Sequence, residues 1–463
     1  MSSKEMSMQT SEIATAASRG VALWERADFA IPVGATGSVI AAIRRLSPSG
    51  PAFVYERRDP RTGHPLRSWI GVRAASTAIA ADEDLDPFLE LRRVLSGAEA
   101  HDEVFAFIGY PSPEHLLDAA PAPGAPPRAL FLIPDEYVRL DHEEGMGSYF
   151  RRRRAGHTEP GVTVEEAARA CAAVREPGEE QVALDEREEL CWSTHTTESA
   201  FAAQLHRAQE AIASDPAAGV VLSVRMSSRT PADPLRSYCV LRKINPSPCM
   251  FLLRDGDFGL WGATSLSLVE ISDGRLIAET DGATRPVPPL ARGEVFDWTP
   301  SAKEVREYQV VVDALRGDLL GVAEPGSLVF TSELEHREFF GLRHLFARAQ
   351  AELAADRDAV DVVRALYPHG AAVGYPRSLA SRLIAELESQ PRGPFAGIVG
   401  VFDGAGDADA AAVIRSMWST SHGSFAQAGA KVVDASSAAG EYRECILKTA
   451  ALRKSARPVV PSQ

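Results

Sequence analysis

Cysteine is scarce in this chain. There are five in 463 residues, at positions 171, 191, 239, 249 and 445. Their spacing matches neither a disulfide framework nor a metal knuckle, which leaves reduced thiols in a cytosolic protein. Long apolar runs are lacking too. No stretch reaches membrane-spanning length, and the N-terminus has no apolar signal-peptide core. A membrane partner is excluded and a cytoplasmic location is expected. Positive charge is the minority, with 49 Lys and Arg against 63 Asp and Glu and a net charge of −14. That balance argues against nucleic acid as a partner. It leaves open an anionic small molecule, because local cations decide that. No internal repeat is present.

The length is enough to bury a large core, in one big α/β domain or two intertwined lobes. Residues 1–20 are rich in Ser, Thr, Ala and Met and are expected to fray. The rest divides into an N-terminal lobe over 21–190, a second lobe over 191–455 and a short tail over 456–463. The acidic run over 176–190 reads as a solvated connector.

Periodicity predicts strands over 52–57, 68–72, 129–134 and 220–226. It also predicts hairpins around Asp255-Gly256-Asp257 and Ser272-Asp273-Gly274. Helices are expected over 163–177, 198–213, 302–320, 342–353 and 359–366. Near the C-terminus, 397–402, 410–417 and 424–433 read as three strands. A helix beginning near Gly440 then places Glu441, Glu444 and Lys448 on one stripe that Leu452 continues. A charged stripe that runs into apolar residues points inward. Buried carboxylates require a cation.

Several of these segments carry text that resembles the chorismate-utilising enzymes, a family that includes anthranilate synthase component I, aminodeoxychorismate synthase, isochorismate synthase and salicylate synthase. The matching segments are INPSPCMF over 244–251, DGATRP over 281–286, KEVREY over 303–308, RGPFAG over 392–397, Asp409 to Arg415, AGAKVV over 428–433 and Glu441 to Lys448. The resemblance covers roughly 195–455, and more faintly the N-terminal half. It implies an α+β fold, an αββα sandwich of two large, mainly antiparallel sheets, with 191–455 as the chorismate-binding catalytic lobe. Anthranilate synthase component I is the nearest branch by text. That branch takes ammonia from a glutaminase, so an amidotransferase subunit, or a second copy of the chain, is a candidate partner.

The resemblance also implies a site. Two E-x-x-E pairs, Glu304/Glu307 and Glu441/Glu444, would converge. Like charges that close cannot all ionise without a cation, and Mg²⁺ suits oxygen donors. By the family pattern Glu307 and Glu444 bind the ion directly, and Glu304 and Glu441 act through water. The ion anchors the ring carboxylate of a chorismate-like dianion. Arg415, Lys448 and the amide of Gly429 hold its other carboxylate, and Thr284 with the amide of Ala283 lines the substrate. His344 matches the histidine near the departing C4 hydroxyl. Ordinary alternatives exist for each: surface acidic pairs, a structural ion pair for Arg415, and packing for a histidine on a helix.

The departures from the family cluster in the same pocket. The general acid of the G-A-S-P-E motif aligns with Leu266. The lysine that activates water in isochorismate and salicylate synthases aligns with Gly219, and the nucleophilic lysine of aminodeoxychorismate synthases with Gly282. Phe395 replaces a tyrosine, Ala371 a threonine and Tyr375 a small residue. Lys431 replaces a glycine, and either pairs with Glu441 or Glu444, serves as an acid–base group, or points away. Arg57 stands where a serine of the tryptophan inhibitor site is expected. Two readings follow: an enzyme with altered chemistry on chorismate or a derived cyclohexadiene, with Lys431 or His344 carrying the proton, or a non-catalytic homologue that binds such a ligand or a partner subunit.

Overall fold

The structure is a computed structural model that describes residues 10–13, 23–31, 50–60, 62–79, 85–98, 102–111, 124–153, 163–172, 189–215, 218–288, 298–339 and 342–459. The acidic connector lies almost wholly outside them.

In chain order the elements are β1 (Thr10–Ile13), β2 (Leu23–Ala30), β3 (Ala52–Arg58), β4 (Pro65–Ile79), α1 (Pro87–Ser96), β5 (Glu103–Ile108), β6 (Ala129–Asp141), β7 (Met146–Arg153), α2 (Val164–Ala172), β8 (Ser193–Thr194), α3 (Glu198–Ile212), β9 (Gly219–Ser228), α4 (Pro234–Ile244), β10 (Cys249–Asp255), β11 (Phe258–Thr264), β12 (Ser267–Ser272) and β13 (Arg275–Pro286). There follow α5 (Ala302–Leu320), β14 (Val329–Phe339), β15 (Leu342–Glu352), α6 (Ala359–Ala365), α7 (Gly370–Val373), β16 (Gly374–Tyr375), α8 (Arg377–Leu387), β17 (Ile398–Asp403), β18 (Ala408–Ala412), β19 (Ser416–Thr420), β20 (Gly423–Val432), α9 (Ala438–Lys448) and α10 (Ala450–Ser455).

Among the described residues the strands form one antiparallel network that divides at β6. Strand β4 pairs with β6 along its whole length. Strands β5 and β7 share its other edge, over Ala129–Leu132 and Glu136–Asp141. From β4 the pairing runs through β3, β10, β11, β19, β20 and β9. From β5 it runs through β17, β18, β12, β13, β15 and β14. N-terminal strands are thus inserted among C-terminal ones in both arms.

The period-two alternation of the strands builds the layers. Phe53, Tyr55, Phe105, Phe107, Phe251, Leu253, Val399, Val401 and Trp418, from both arms, pack into one inner core. Their neighbours face outward. Ala52, Val54, Met250 and Leu252 meet α2 and α4 in a second core. Val104, Ala106, Ile398 and Phe402 meet α1, α5 and α6 in a third. Helices α3, α8 and α9 cover β9 and β20. This is the expected sandwich, with helices outside two sheet layers.

Local chemistry sets the helix starts. Ser301 and Glu304 form a capping box on α5, as Asp358 and Asp361 do on α6, satisfying amide donors that helical bonding leaves free. Asp86-Pro87 and Asp233-Pro234 begin α1 and α4 in the same spirit.

Three expectations need correction. Residues 342–353 form a strand, not a helix, and β15 is paired on both edges, by β13 and β14. Leu, Ala, Arg and Gln favour helix in isolation. Pairing on both sides overrides that preference, and Leu345, Ala347, Ala349 and Ala351 form its buried face. His344 therefore sits on a strand. Residues 410–417 are two strands rather than one. The chain leaves β18 and enters β19 in the other arm, turning at Arg415 with φ +48°. Within the N-terminal stretch expected to fray, β1 pairs with β2.

Candidate active site

The corner between β18 and β19, the end of β13, β20, α5 and α9 enclose a cavity of about 320 Å³. Every charged residue expected at the site lines it: Glu304, Glu307, Arg415, Lys431, Glu441, Glu444 and Lys448. His344, Ala283 and Gly429 line it as well. Thr284 lies on β13 opposite His344; its side chain is outside the described part.

The two acidic pairs meet through a lysine. Lys303 Nζ lies 2.8 Å from Glu441 Oε1 and 3.2 Å from Glu307 Oε1. The ammonium answers the mutual repulsion of two buried carboxylates. Burial still holds the Glu307 carboxyl above its ordinary value, against the pull of Lys303 and Lys431. Glu444 turns to Lys448, 2.6 Å away. Although burial opposes its charge, Lys448 keeps that carboxyl below its usual value. Glu304 is placed differently. Arg285 grips it with two hydrogen bonds of 2.9 and 2.8 Å, and the Ser301 amide donates to it at 2.7 Å.

Three further cations line the same cavity. Arg415 Nη2 stands 3.5 Å from His344 Nε2. Among the described residues it has no carboxylate within ion-pair distance. Lys448 Nζ donates to the Gly429 carbonyl at 3.0 Å, and Lys431 Nζ to the Glu307 carbonyl at 3.0 Å. Burial pushes the Lys431 ammonium down to about 8. Burial, with Arg415 and Lys448 nearby, holds the His344 imidazole well below its ordinary value, so it is neutral.

Two glycines are fixed by close approach. A Cβ on Gly282 would come within 2.7 Å of the Tyr308 Cα on α5, so this position has no room for a lysine. A Cβ on Gly429 would meet Val221 at 2.6 Å. The backbone is strained where it frames the cavity: Ala283 (φ +54°), Ala396 (φ +70°) and Arg415 (φ +48°) all hold left-handed conformations without being glycine. Phe395 and Ala371 line the cavity. Gly219 and Tyr375 pair with each other at the end of β9, outside its lining. Leu266 is fully buried and also outside it.

A profile of the chorismate binding enzyme family matches residues 50–454. The chain belongs to the chorismate-binding enzymes. It is 31% identical over 445 residues to anthranilate synthase component 1 of Streptomyces coelicolor, covering 90% of this chain and 86% of that one. It is 38% identical over 246 residues to anthranilate synthase component 1 of Mycolicibacterium smegmatis, covering 50% of this chain and 46% of that one. Its fold matches anthranilate synthase component I from Streptococcus pneumoniae with a TM-score of 0.68 at 24% identity, over 87% of this chain and 92% of that one. It matches the menaquinone-specific isochorismate synthase MenF of Escherichia coli with a TM-score of 0.70 at 17% identity, over 93% and 94%. Among the described residues no helix of this chorismate-binding enzyme is long and apolar enough to cross a membrane.

The donor chemistry fits Mg²⁺ only as an open site. No cluster of three or more His, Cys, Asp or Glu side chains is arranged to hold a metal among the described residues. Mg²⁺, however, is held by one or two carboxylates plus ligand oxygens and water. Glu307, Glu441 and Glu444 offer such oxygens, and Lys303, about one-third exposed, lies between two of them. Sequence reasoning missed Lys303, Asp281 and Ser265 as cavity residues. Lys303 had a signal, its spacing of four from Glu307. The lone carboxylate just before the G-A-T-R text marked Asp281. Ser265 had none.

Proposed function

We propose that this chain is a Mg²⁺-dependent enzyme of aromatic or secondary metabolism that displaces the ring hydroxyl of chorismate, or of a closely related cyclohexadiene dicarboxylate, with an altered acid–base set. Charge balance supports the ion. The cavity is lined by five cationic side chains (Arg285, Lys303, Arg415, Lys431, Lys448) and five carboxyl groups (Asp281, Glu304, Glu307, Glu441, Glu444). A dianion adds two negative charges beside these carboxyl groups, and a divalent cation offsets them. Glu307, Glu441 and Glu444 are the residues that would hold the ion once Lys303 withdraws. The ion, when bound, neutralises the ring carboxylate and draws electron density from the ring.

The observation that carries this reading is Arg415. Its guanidinium lines the cavity from a strained corner and, among the described residues, has no carboxylate within ion-pair distance, as a bidentate receptor for a substrate carboxylate should. Lys448 and the exposed edge of β20 at Gly429 lie beside it. His344, being neutral, contributes a hydrogen bond rather than a proton. The nucleophile is ammonia or water, and an amidotransferase subunit would be a source of ammonia.

The test is incubation with chorismate and Mg²⁺, with and without ammonium, following pyruvate and ring products chromatographically. Mg²⁺-dependent turnover that Arg415→Ala abolishes is expected. Absence of turnover on chorismate, isochorismate and aminodeoxyisochorismate would sink the enzymatic reading. Mg²⁺-dependent binding without turnover would make the chain a ligand-binding relative.

A further inference from the structure

The family's general acid has no counterpart at Leu266, whose side chain is enclosed outside the cavity wall. A carboxylate nevertheless enters the cavity beside it. Asp281, on β13, accepts a hydrogen bond of 3.1 Å from the hydroxyl of Ser265, the residue immediately before Leu266. The same oxygen lies 3.8 Å from His344 Nδ1. Asp281, His344 and Arg415 therefore form a row along one wall. The side chain of Asp281 is 12% exposed, and it lines the cavity.

Resting on the function proposed above, we propose that Asp281 is the proton donor to the departing ring hydroxyl, the carboxyl group having moved from position 266 to the adjoining hairpin. The surroundings of the other carboxylates argue for Asp281. Glu307 and Glu441 share Lys303, Glu444 holds Lys448, and Glu304 is locked to Arg285. A carboxylate in a close ion pair is a poor acid. Asp281 has instead a serine hydroxyl at 3.1 Å and an imidazole at 3.8 Å, and Arg415 and Lys431 act on it only from a longer distance. Lys431 is turned to the Glu307 carbonyl, and Lys448 to that of Gly429. Among the described residues, Asp281 is thus the cavity carboxyl group with no lysine or arginine within ion-pair distance.

The step balances. The lone pair of ammonia or water forms the new bond to a ring carbon, and the two ring double bonds shift along the diene. The carbon–oxygen bond breaks with its electron pair on oxygen. That oxygen takes the Asp281 proton and leaves as water. Asp281 remains as carboxylate and is reprotonated by the proton that the added nucleophile releases.

The test uses the full chain in the chorismate assay. Asp281→Asn, nearly isosteric, should lower kcat by about 10²–10⁴ while the dissociation constant for chorismate, measured by fluorescence, shifts by less than about threefold. Asp281→Glu keeps the functional group and should retain most of the rate, which guards against an Asn variant that folds poorly. A kcat for Asp281→Asn within about threefold of the parent, or a loss confined to KM, overturns the assignment and leaves the proposed function standing. Failure of the parent chain to turn over any of the three substrates removes both.

Discussion

Around Glu56, every charge is answered. This wholly buried carboxylate accepts from Arg58 Nη1 at 2.8 Å and Tyr238 Oη at 2.7 Å, and Arg242 Nε lies 2.8 Å away. Burial works against its charge, but Arg242 and Arg58 hold it below its ordinary value. A second such knot lies close by, where Arg57 pairs with Asp409 at 3.2 Å and Tyr55 donates to Asp409 at 2.7 Å. Around the cavity the same residue types are incompletely matched: one lysine serves two glutamates, and Arg415 has, among the described residues, no carboxylate within ion-pair distance. Saturated buried charge is structural. Buried charge with unmet capacity, framed by strained backbone, is what a ligand and an ion complete.

The comparison breaks most visibly through stability. Arg242→Ala strands Glu56 without a major partner and should cost about 3–5 kcal/mol, read as a large fall in Tm or loss of soluble protein. Arg415→Ala should leave Tm nearly unchanged while abolishing turnover. Equal thermal damage from both would erase the distinction. A smaller effect sharpens it at Lys303. Lys303→Met leaves Glu307 and Glu441 facing each other, so Tm should fall in chelator and recover on adding Mg²⁺, with a larger Mg²⁺ shift than the parent shows. A variant indifferent to Mg²⁺ would count against an ion between these carboxylates.

A further effect concerns pH. Burial, with Arg377 and Lys431 nearby, pushes the His369 imidazole down to about 3, from an ordinary 6.5. Its folded value is thus below its unfolded one. The unfolded chain takes up the proton first as pH falls, so the contribution is complete above 6.5 and is lost progressively towards 3. The slope is at most about 1.4 kcal/mol per pH unit. His369→Asn, which keeps an acceptor for the Ala371 amide that His369 caps, should flatten denaturation midpoints over that range. An unchanged slope would show that the imidazole titrates normally.

How much was legible follows from how local each signal is. The Asp255-Gly256-Asp257 turn and the inward stripe of α9 rest on neighbours within four residues. Each was readable, and each appears in the fold. The strand at 342–352 was not, because its helix-favouring composition was outvoted by two flanking strands distant in sequence. The turn at Arg415 was missed for a similar reason: a change of layer leaves no local mark when the residue at the corner is not glycine.

By itself, the sequence determined the family, most of the strands and helices and most of the charged residues that reach the site, since motif spacing and hydrophobic period depend on nearby residues. Only the tertiary structure decided how those charges are shared. It alone showed that Lys303 bridges the two acidic pairs, that Glu304 is held by Arg285, and that Asp281 stands beside Ser265. Those facts depend on distances between strands and helices far apart in the chain, and no pattern along one segment encodes them.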